Sequence, residues 1–220
     1  MSYAVRMSTV KTRREQYSEA TRAALLAAAT RRFAEHGFAG TALEDIAGDI
    51  QATRGAIYHH FAGKGALFEA VFEQLETEAT ELCAAAAVRA GDPRAAATVA
   101  LDVFLDRCCD PVYGRIVCLQ APIALGWLRW QEAEEQLAYG LVEQLIKALM
   151  DAGELEGQPL ETTTRLVFGM LGTAGVALAG ASDVDKPRLK AEYAATIGRM
   201  VAALRPVPDE VLGDARPAPA

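Results

Sequence analysis

Residues 41 to 64 read TALEDIAGDIQATRGAIYHHFAGK, two short helices joined by a tight turn, the second of them basic and aromatic. Thr41 is the expected N-cap of the first helix, with Glu44 three residues on reaching back to the cap amide in a capping box. Leu43, Ile46 and Ala47 then share one face. After Ile50 only Gln51 and Ala52 are left for the connection, and Thr53 is the expected N-cap of a helix running from Arg54 to Phe61. Ile57 and Phe61, four apart, form its inward stripe. Arg54, Tyr58 and His59 therefore point elsewhere, while Gly55 and Ala56 leave the front of the helix bare enough to approach a base edge. In a helix-turn-helix the second helix lies in the major groove with its N-terminal residues on the bases. Lys64, just past Gly63, opens the next helix, where free backbone amides also favour an anion. Taken singly, Tyr58 and His60 are equally consistent with half-buried core, and Arg54 and Lys64 with ordinary solvated charge. Their joint placement on a capped helix-turn-helix points to double-stranded DNA, with Thr41, Thr53, Arg54, Gly55, Ala56, Tyr58, His59, His60 and Lys64 as the candidate contacts.

The same run, preceded by RRFAEHGF and followed by ALFEAVFEQLE, resembles the N-terminal domain of the TetR family of transcriptional regulators. The matching pieces are FAEHGF at 33 to 38, T-x-x-x-D-I-A at 41 to 47 and Y-H-H-F-x-x-K at 58 to 64; together they cover about 60 residues, and their joint spacing is more specific than any piece alone. The segment CLQAPIALGWLRW at 118 to 130 is similar to a C-terminal domain of some members. One departure lies in the turn, where the family commonly has Ala-Gly-Val-Ser and this chain has Ile50, Gln51, Ala52 and Thr53. A left-handed Gln51 in place of glycine costs roughly 1 kcal/mol, which the fold is expected to survive, while the angle between the two helices does not follow from the family pattern. The resemblance implies an all-α protein: an N-terminal three-helix domain with the helix-turn-helix, then a helical ligand-binding and dimerisation domain. It also implies a homodimer whose two heads read a near-palindromic operator.

Charge supports that division. The 220-residue chain carries a formal −7, yet residues 1 to 65 hold nine Lys or Arg against six Asp or Glu, +3, leaving −10 for the remainder. A basic head on an acidic body presents one end to phosphate. The expected organisation is a flexible basic segment over 1–17, in which Arg6, Lys11, Arg13 and Arg14 either solubilise or reach the DNA backbone or minor groove. The helix-turn-helix domain follows over 18–64, an effector-binding and dimerisation domain over 65–204, and a disordered tail with four prolines over 205–220. Half of the residues are hydrophobic (51%), enough for a core in each domain. No secretory h-region is visible in the first 30 residues, so the expected location is the cytoplasm.

Four cysteines, Cys83, Cys108, Cys109 and Cys118, show no C-x-x-C spacing and read as buried small hydrophobes, with a thiol redox sensor as the alternative. His36, His59 and His60 have no cysteine near them in sequence, so no metal site is expected. No nucleophile with a partnered base and no phosphate loop is visible: neither an enzyme nor a cofactor is expected.

In the body, a helix from about Gly65 to Arg89 reads as the lever between the domains. Asp92 caps the next helix with Pro93 at its first position, and Val99, Val103 and Phe104 turn inward. Pro111 and Pro122 delimit a short helix holding Tyr113, Ile116, Val117 and Leu119. A long helix is expected from Ile123 to a C-cap at Gly153. Phe104, Cys108, Tyr113, Trp127, Trp130 and Tyr139 are the candidate lining of a cavity for a small hydrophobic or aromatic effector, although aromatic residues at helical spacing serve equally as plain core. The uncharged run Leu166 to Ala181 is 16 residues, short of the roughly 20 a bilayer needs, so no membrane partner is expected. Its small residues suit close helix packing. With a last helix from Pro187 to Leu204 it forms the expected dimer interface, through Phe168, Gly169, Gly172, Gly175, Val176, Tyr193, Ile197, Met200 and Val201. A ligand-responsive repressor is the leading expectation; a DNA-binding activator and a redox-sensing or small-molecule-binding protein are the alternatives. Effector, operator and regulated genes are not encoded legibly.

Overall fold

The computed structural model describes residues 12–155 and 157–204. Among them only helices and turns occur, and they divide into two compact units, residues 1–71 and 72–220.

The first unit begins with α1 (Arg13–Gly40), entered through Thr12, whose hydroxyl accepts the Glu15 amide while the Glu15 carboxylate accepts the Thr12 amide. This capping box starts the helix at Arg13, so Arg13 and Arg14 stand on its exposed first turn rather than in the flexible segment expected up to residue 17. Arg6 and Lys11 of that segment, and the tail from residue 205, lie outside the described residues. Gly37, at φ 76°, interrupts α1 where only glycine is comfortable. Next come α2 (Leu43–Asp49), α3 (Arg54–His60) and α4 (Lys64–Val88). Leu25, Ala29, Phe33, Ile46, Ile57, Leu67 and Phe68 are buried, and Phe33, Phe38 and Phe68 pack edge-on or tilted with centroids 5.0 to 6.0 Å apart. The Arg32 guanidinium forks onto Asp49, with Nε donating at 2.8 Å, and ties α1 to the end of α2.

In the second unit, α5 (Pro93–Cys109) follows the Asp92 cap, whose carboxylate accepts the Ala95 amide at 2.8 Å. It buries Ala100, Leu105 and Cys108; Val103 and Phe104 are half-buried, and Val99, expected inside, is 41% exposed. Helix α6 (111–124) is α at Pro111–Tyr113, a wider π turn at Gly114–Gln120 and α again at Ala121–Ala124. Pro122 has no N–H to close the α-ladder onto Cys118, and beside it the Ala121 amide reaches Ile116, five residues back. The next helix starts at Trp127, not Ile123, because Gly126 takes φ 81° and breaks the chain there. This α7 (127–151) contains a second π turn at Glu135–Tyr139. Two more helices complete the unit, α8 (Leu160–Gly180) and α9 (Lys186–Ala202). At 21 residues α8 is longer than its uncharged run and could span a bilayer by length and composition, yet Val167, Ala174 and Leu178 are buried within the unit.

One contact inside this unit leaves no slack. A Cβ on Gly114 would lie 2.6 Å from the Cys108 carbonyl oxygen and 3.1 Å from the Ala179 Cβ. Gly114→Ala is expected to lower stability by about 1–3 kcal/mol, because the nearer obstacle is backbone and cannot rotate away. Urea unfolding of the variant beside the parent checks this.

Candidate functional site

The turn between α2 and α3 puts Gln51 in the left-handed region at φ 54°, and the Ala52 amide closes back on the Ala47 carbonyl at 2.9 Å. Thr53 caps α3, its hydroxyl accepting the Ala56 amide at 3.3 Å. Ile57 is buried, as is Phe61 just past the helix. Thr53, Arg54, Gly55, Tyr58 and His59 are exposed, and Ala56 and His60 are half-buried. Arg54 lies across Tyr58, its Cζ 5.5 Å from the ring centroid and Nη2 donating to the hydroxyl at 3.1 Å, while Nη1 pairs with Glu44 at 2.7 Å. Tyr58 first and Glu44 second raise the Arg54 pKa, so it stays charged. The side chain is thereby held in one orientation with a carboxylate standing where a phosphate or base acceptor could replace it. The His59 and His60 rings meet edge to face at 5.0 Å. Burial, then the charges of His59 and Arg22, lower the His60 pKa, which leaves it a neutral donor at pH 7.

Two expected contacts serve the fold instead. Thr41 is 3% exposed and does not cap α2, whose N-cap is Ala42 without a side-chain bond. Its hydroxyl lies 2.8 Å from the Gly37 carbonyl and 3.1 Å from that of Arg32, supplying a donor to the carbonyls at the end of α1. Lys64 Nζ donates to the Phe38 carbonyl at 2.7 Å and the Thr41 carbonyl at 3.0 Å, 4.5 Å from the Phe38 ring centroid. Its ammonium thereby closes the corner after α1.

The second unit holds a half-open cavity of about 1140 Å³. Phe104, Trp127, Trp130 and Tyr139 line it; Cys108 and Tyr113 are buried and do not. Trp127 and Trp130 pack with centroids 4.9 Å apart, and Tyr139 meets Phe168 edge-on at 5.6 Å. Phe168, assigned from sequence to a dimer face, is thus cavity wall. The sequence reading missed two carboxyls, Glu76 on α4 and Glu134 on α7. Both were findable: Glu76 follows Phe72 by four residues on the buried stripe of its helix, and Glu134 follows Trp130 by four.

Glu76 is 3% exposed, accepts a hydrogen bond from the Tyr113 hydroxyl at 2.7 Å and feels the charge of Arg107, whose Cζ stands 5.2 Å from the Tyr113 ring centroid. Burial outweighs both and raises its pKa. Glu134 keeps some accessible surface, but that surface is cavity wall. Burial first and the Glu76 charge second push it up to about 8; the nearby Trp130 indole leans the other way, yet its buried N–H closes no hydrogen bond. A carboxyl raised in this way binds a proton in the folded chain that the unfolded chain has released above its ordinary pKa near 4.5. Its stabilising effect is whole below pH 4.5 and is lost as pH climbs to about 8. Glu134→Gln is expected to flatten the fall in melting temperature between pH 5 and pH 8, read by circular dichroism; an unchanged slope would contradict the assignment.

Of the expected dimer-face residues, Gly169, Gly172, Val176 and Met200 are exposed and Tyr193 and Val201 half-buried; Gly169, Gly172, Val176 and Val201 line the cavity as Phe168 does. Ile197 is buried in its own unit, and a Cβ on Gly175 would touch the Cys118 and Cys108 sulfurs at 3.3 and 3.4 Å; neither is available to a partner. All four cysteines are free thiols. Burial pushes Cys83 up to about 11, and its neighbour Cys118 together with burial raises Cys108, so neither favours a reactive thiolate. No group of three or more His, Cys, Asp or Glu able to hold a metal occurs among the described residues.

Residues 25–71 match the model of bacterial regulatory proteins of the tetR family, and residues 95–204 that of a tetracyclin repressor-like C-terminal domain. The chain is 41% identical over 56 residues to the HTH-type transcriptional repressor SCO4008 of Streptomyces coelicolor, covering 26% of this chain and 29% of that one. It is 43% identical over 63 residues to the HTH-type transcriptional regulator TtgR of Pseudomonas putida, 29% of this chain and 30% of that one. These matches span less than a third of the curated relatives' length. A solved TetR-family regulator from Pectobacterium atrosepticum superposes with a TM-score of 0.77 at 29% identity, covering 90% of this chain and all of that one. RolR, solved with resorcinol, shares the fold at a TM-score of 0.65 and 21% identity, over 94% of this chain and 98% of that one.

Proposed function

Because this chain belongs to the TetR family and is a DNA-binding regulator rather than an enzyme, we propose that it acts as a homodimeric repressor, released from a near-palindromic operator by a small, largely apolar effector. The observation that carries the reading is the exposed Arg54–Tyr58 pair on a capped α3, backed by Thr53, Gly55, Ala56 and His59. Such a helix enters the major groove by its N-terminal end. A second copy against the exposed small and apolar residues of α8 and α9 supplies the second head, one duplex turn away. Work on chromosomal DNA implies a cytoplasmic location.

The effector site is the cavity in the second unit. A ligand that fits better in the form whose heads are wrongly spaced for DNA shifts the population toward that form, and the coupling equals its differential affinity for the two forms. Gel-shift titration against the DNA upstream of the protein's own gene tests the whole proposal. A specific complex of one dimer per site, weakening steeply with salt because the contacts release counterions, is the expected result. A chain that stays monomeric at micromolar concentration, or binds random DNA equally well, overturns it.

A further inference from the structure

The cavity is aromatic, and its carboxyls outnumber its cations. Four carboxyls line it, Glu76, Glu134, Glu135 and Glu154, against two guanidiniums, Arg94 and Arg165. Arg94 is paired with Glu154 at 2.6 Å, and Arg165 with Glu135 at 3.1 Å and Glu161 at 3.2 Å. Glu76 has the Tyr113 hydroxyl bound to it and Arg107 in attendance. Glu134 is left over: among the described residues no cation pairs with it, and the buried N–H of the half-buried Trp130 beside it closes no hydrogen bond. A largely buried carboxyl without a counter-ion is costly unless it holds its proton or meets a cation. The cavity wall carries Trp127, Trp130, Phe104 and Phe168, whose ring faces attract cations; that of Tyr139 already faces Arg165 at 5.4 Å.

We propose that the cavity is a site for a lipophilic organic cation, whose charged centre sits against Glu134 and whose apolar body packs on the tryptophans. This rests on the effector cavity of the preceding section and names its ligand class. The cation replaces the proton that Glu134 carries in the empty cavity, so binding near pH 7 expels up to one proton into solvent. The other groups around that cavity do not take over this role. Glu76 and the thiol Cys83 face it from α4, Arg94 from α5 and Arg165 from α8 are committed to carboxylates, and Tyr113 and Arg107 serve Glu76.

The probes are methyltriphenylphosphonium and its neutral near-isostere triphenylphosphine oxide, titrated calorimetrically into the full-length protein. Tryptophan emission is followed in parallel, since both tryptophans of the chain line the cavity. The expected result is at least a tenfold preference for the cation, erased in Glu134→Gln while the oxide binds that variant within about twofold of the parent. Equal affinities in the parent, or a preference that survives the substitution, overturn the proposal. Should Glu134→Gln fail to fold, the parent decides alone: calorimetry in two buffers of different ionisation enthalpy must show proton release with the cation and none with the oxide, and its absence is fatal. The two layers separate cleanly. Cation binding without DNA release overturns the effector role and leaves the site, whereas DNA release by the neutral oxide without cation binding overturns the site and leaves the repressor.

Discussion

Replacing Arg54 and Tyr58 together by alanine is expected to cut operator affinity by about a hundredfold or more while leaving the melting curve in place. An arginine seated on a base edge contributes about 1–3 kcal/mol, and a two-headed regulator loses the contact twice. Both side chains are exposed, and their contacts are with each other and with Glu44 at the surface, so little stability depends on them. Glu44→Ala is the control. It removes the carboxylate that occupies Arg54 and keeps the Arg54–Tyr58 stack, so DNA affinity holds or rises. The assignment fails if the double variant binds like the parent, or if Glu44→Ala binds as poorly as the double variant. Lys64→Met gives a contrasting signature: the Phe38 and Thr41 carbonyls lose their donor, and the first unit loses about 1–3 kcal/mol before any question of phosphate arises.

That contrast marks where the sequence was legible and where it was not. Helix α3 could be read residue by residue, because a cap at Thr53 and a stripe at Ile57 and Phe61 are local facts fixed by helix geometry. Thr41 and Lys64 could not. Their types suit a cap and a phosphate contact equally well, and what decides between roles is a set of carbonyls freed where Gly37 turns the chain out of α1, which no local pattern announces. In the second unit the Asp92-Pro93 start and the Gly153 stop were legible for the same local reasons. The break at Gly126 was not, since ALGW reads as tolerable helix until φ becomes positive. The cavity was half legible. Aromatic spacing pointed to Trp127 and Trp130, but only packing in space sets Cys108 and Tyr113 behind the wall and brings Glu76 and Glu134 to it.

The same logic isolates assembly from folding. Gly172→Arg on α8 is expected to leave the single chain as stable as before or more so, while abolishing the dimer. A Cβ at Gly172 meets nothing within 4 Å in its own chain, and an interior helical glycine costs about 0.8–1 kcal/mol relative to a good helix former. Gly172 also lines the cavity, so the melting curve tells whether the longer arginine side chain disturbs its own unit before a loss of mass is assigned to a second chain. If α8 and α9 meet their copies closely through Gly169, Gly172 and Val176, a guanidinium there is both too large and left without a partner in an apolar seam. Loss of the second head then removes the effective-concentration advantage, about a hundred- to ten-thousandfold in DNA affinity. The measurement is light scattering after size exclusion, beside a melting curve and a gel shift on one preparation. Melting unchanged or raised, mass halved and DNA lost together would assign the α8–α9 face to the partner copy. A variant that keeps the parent's mass would place the dimer seam elsewhere on the molecule.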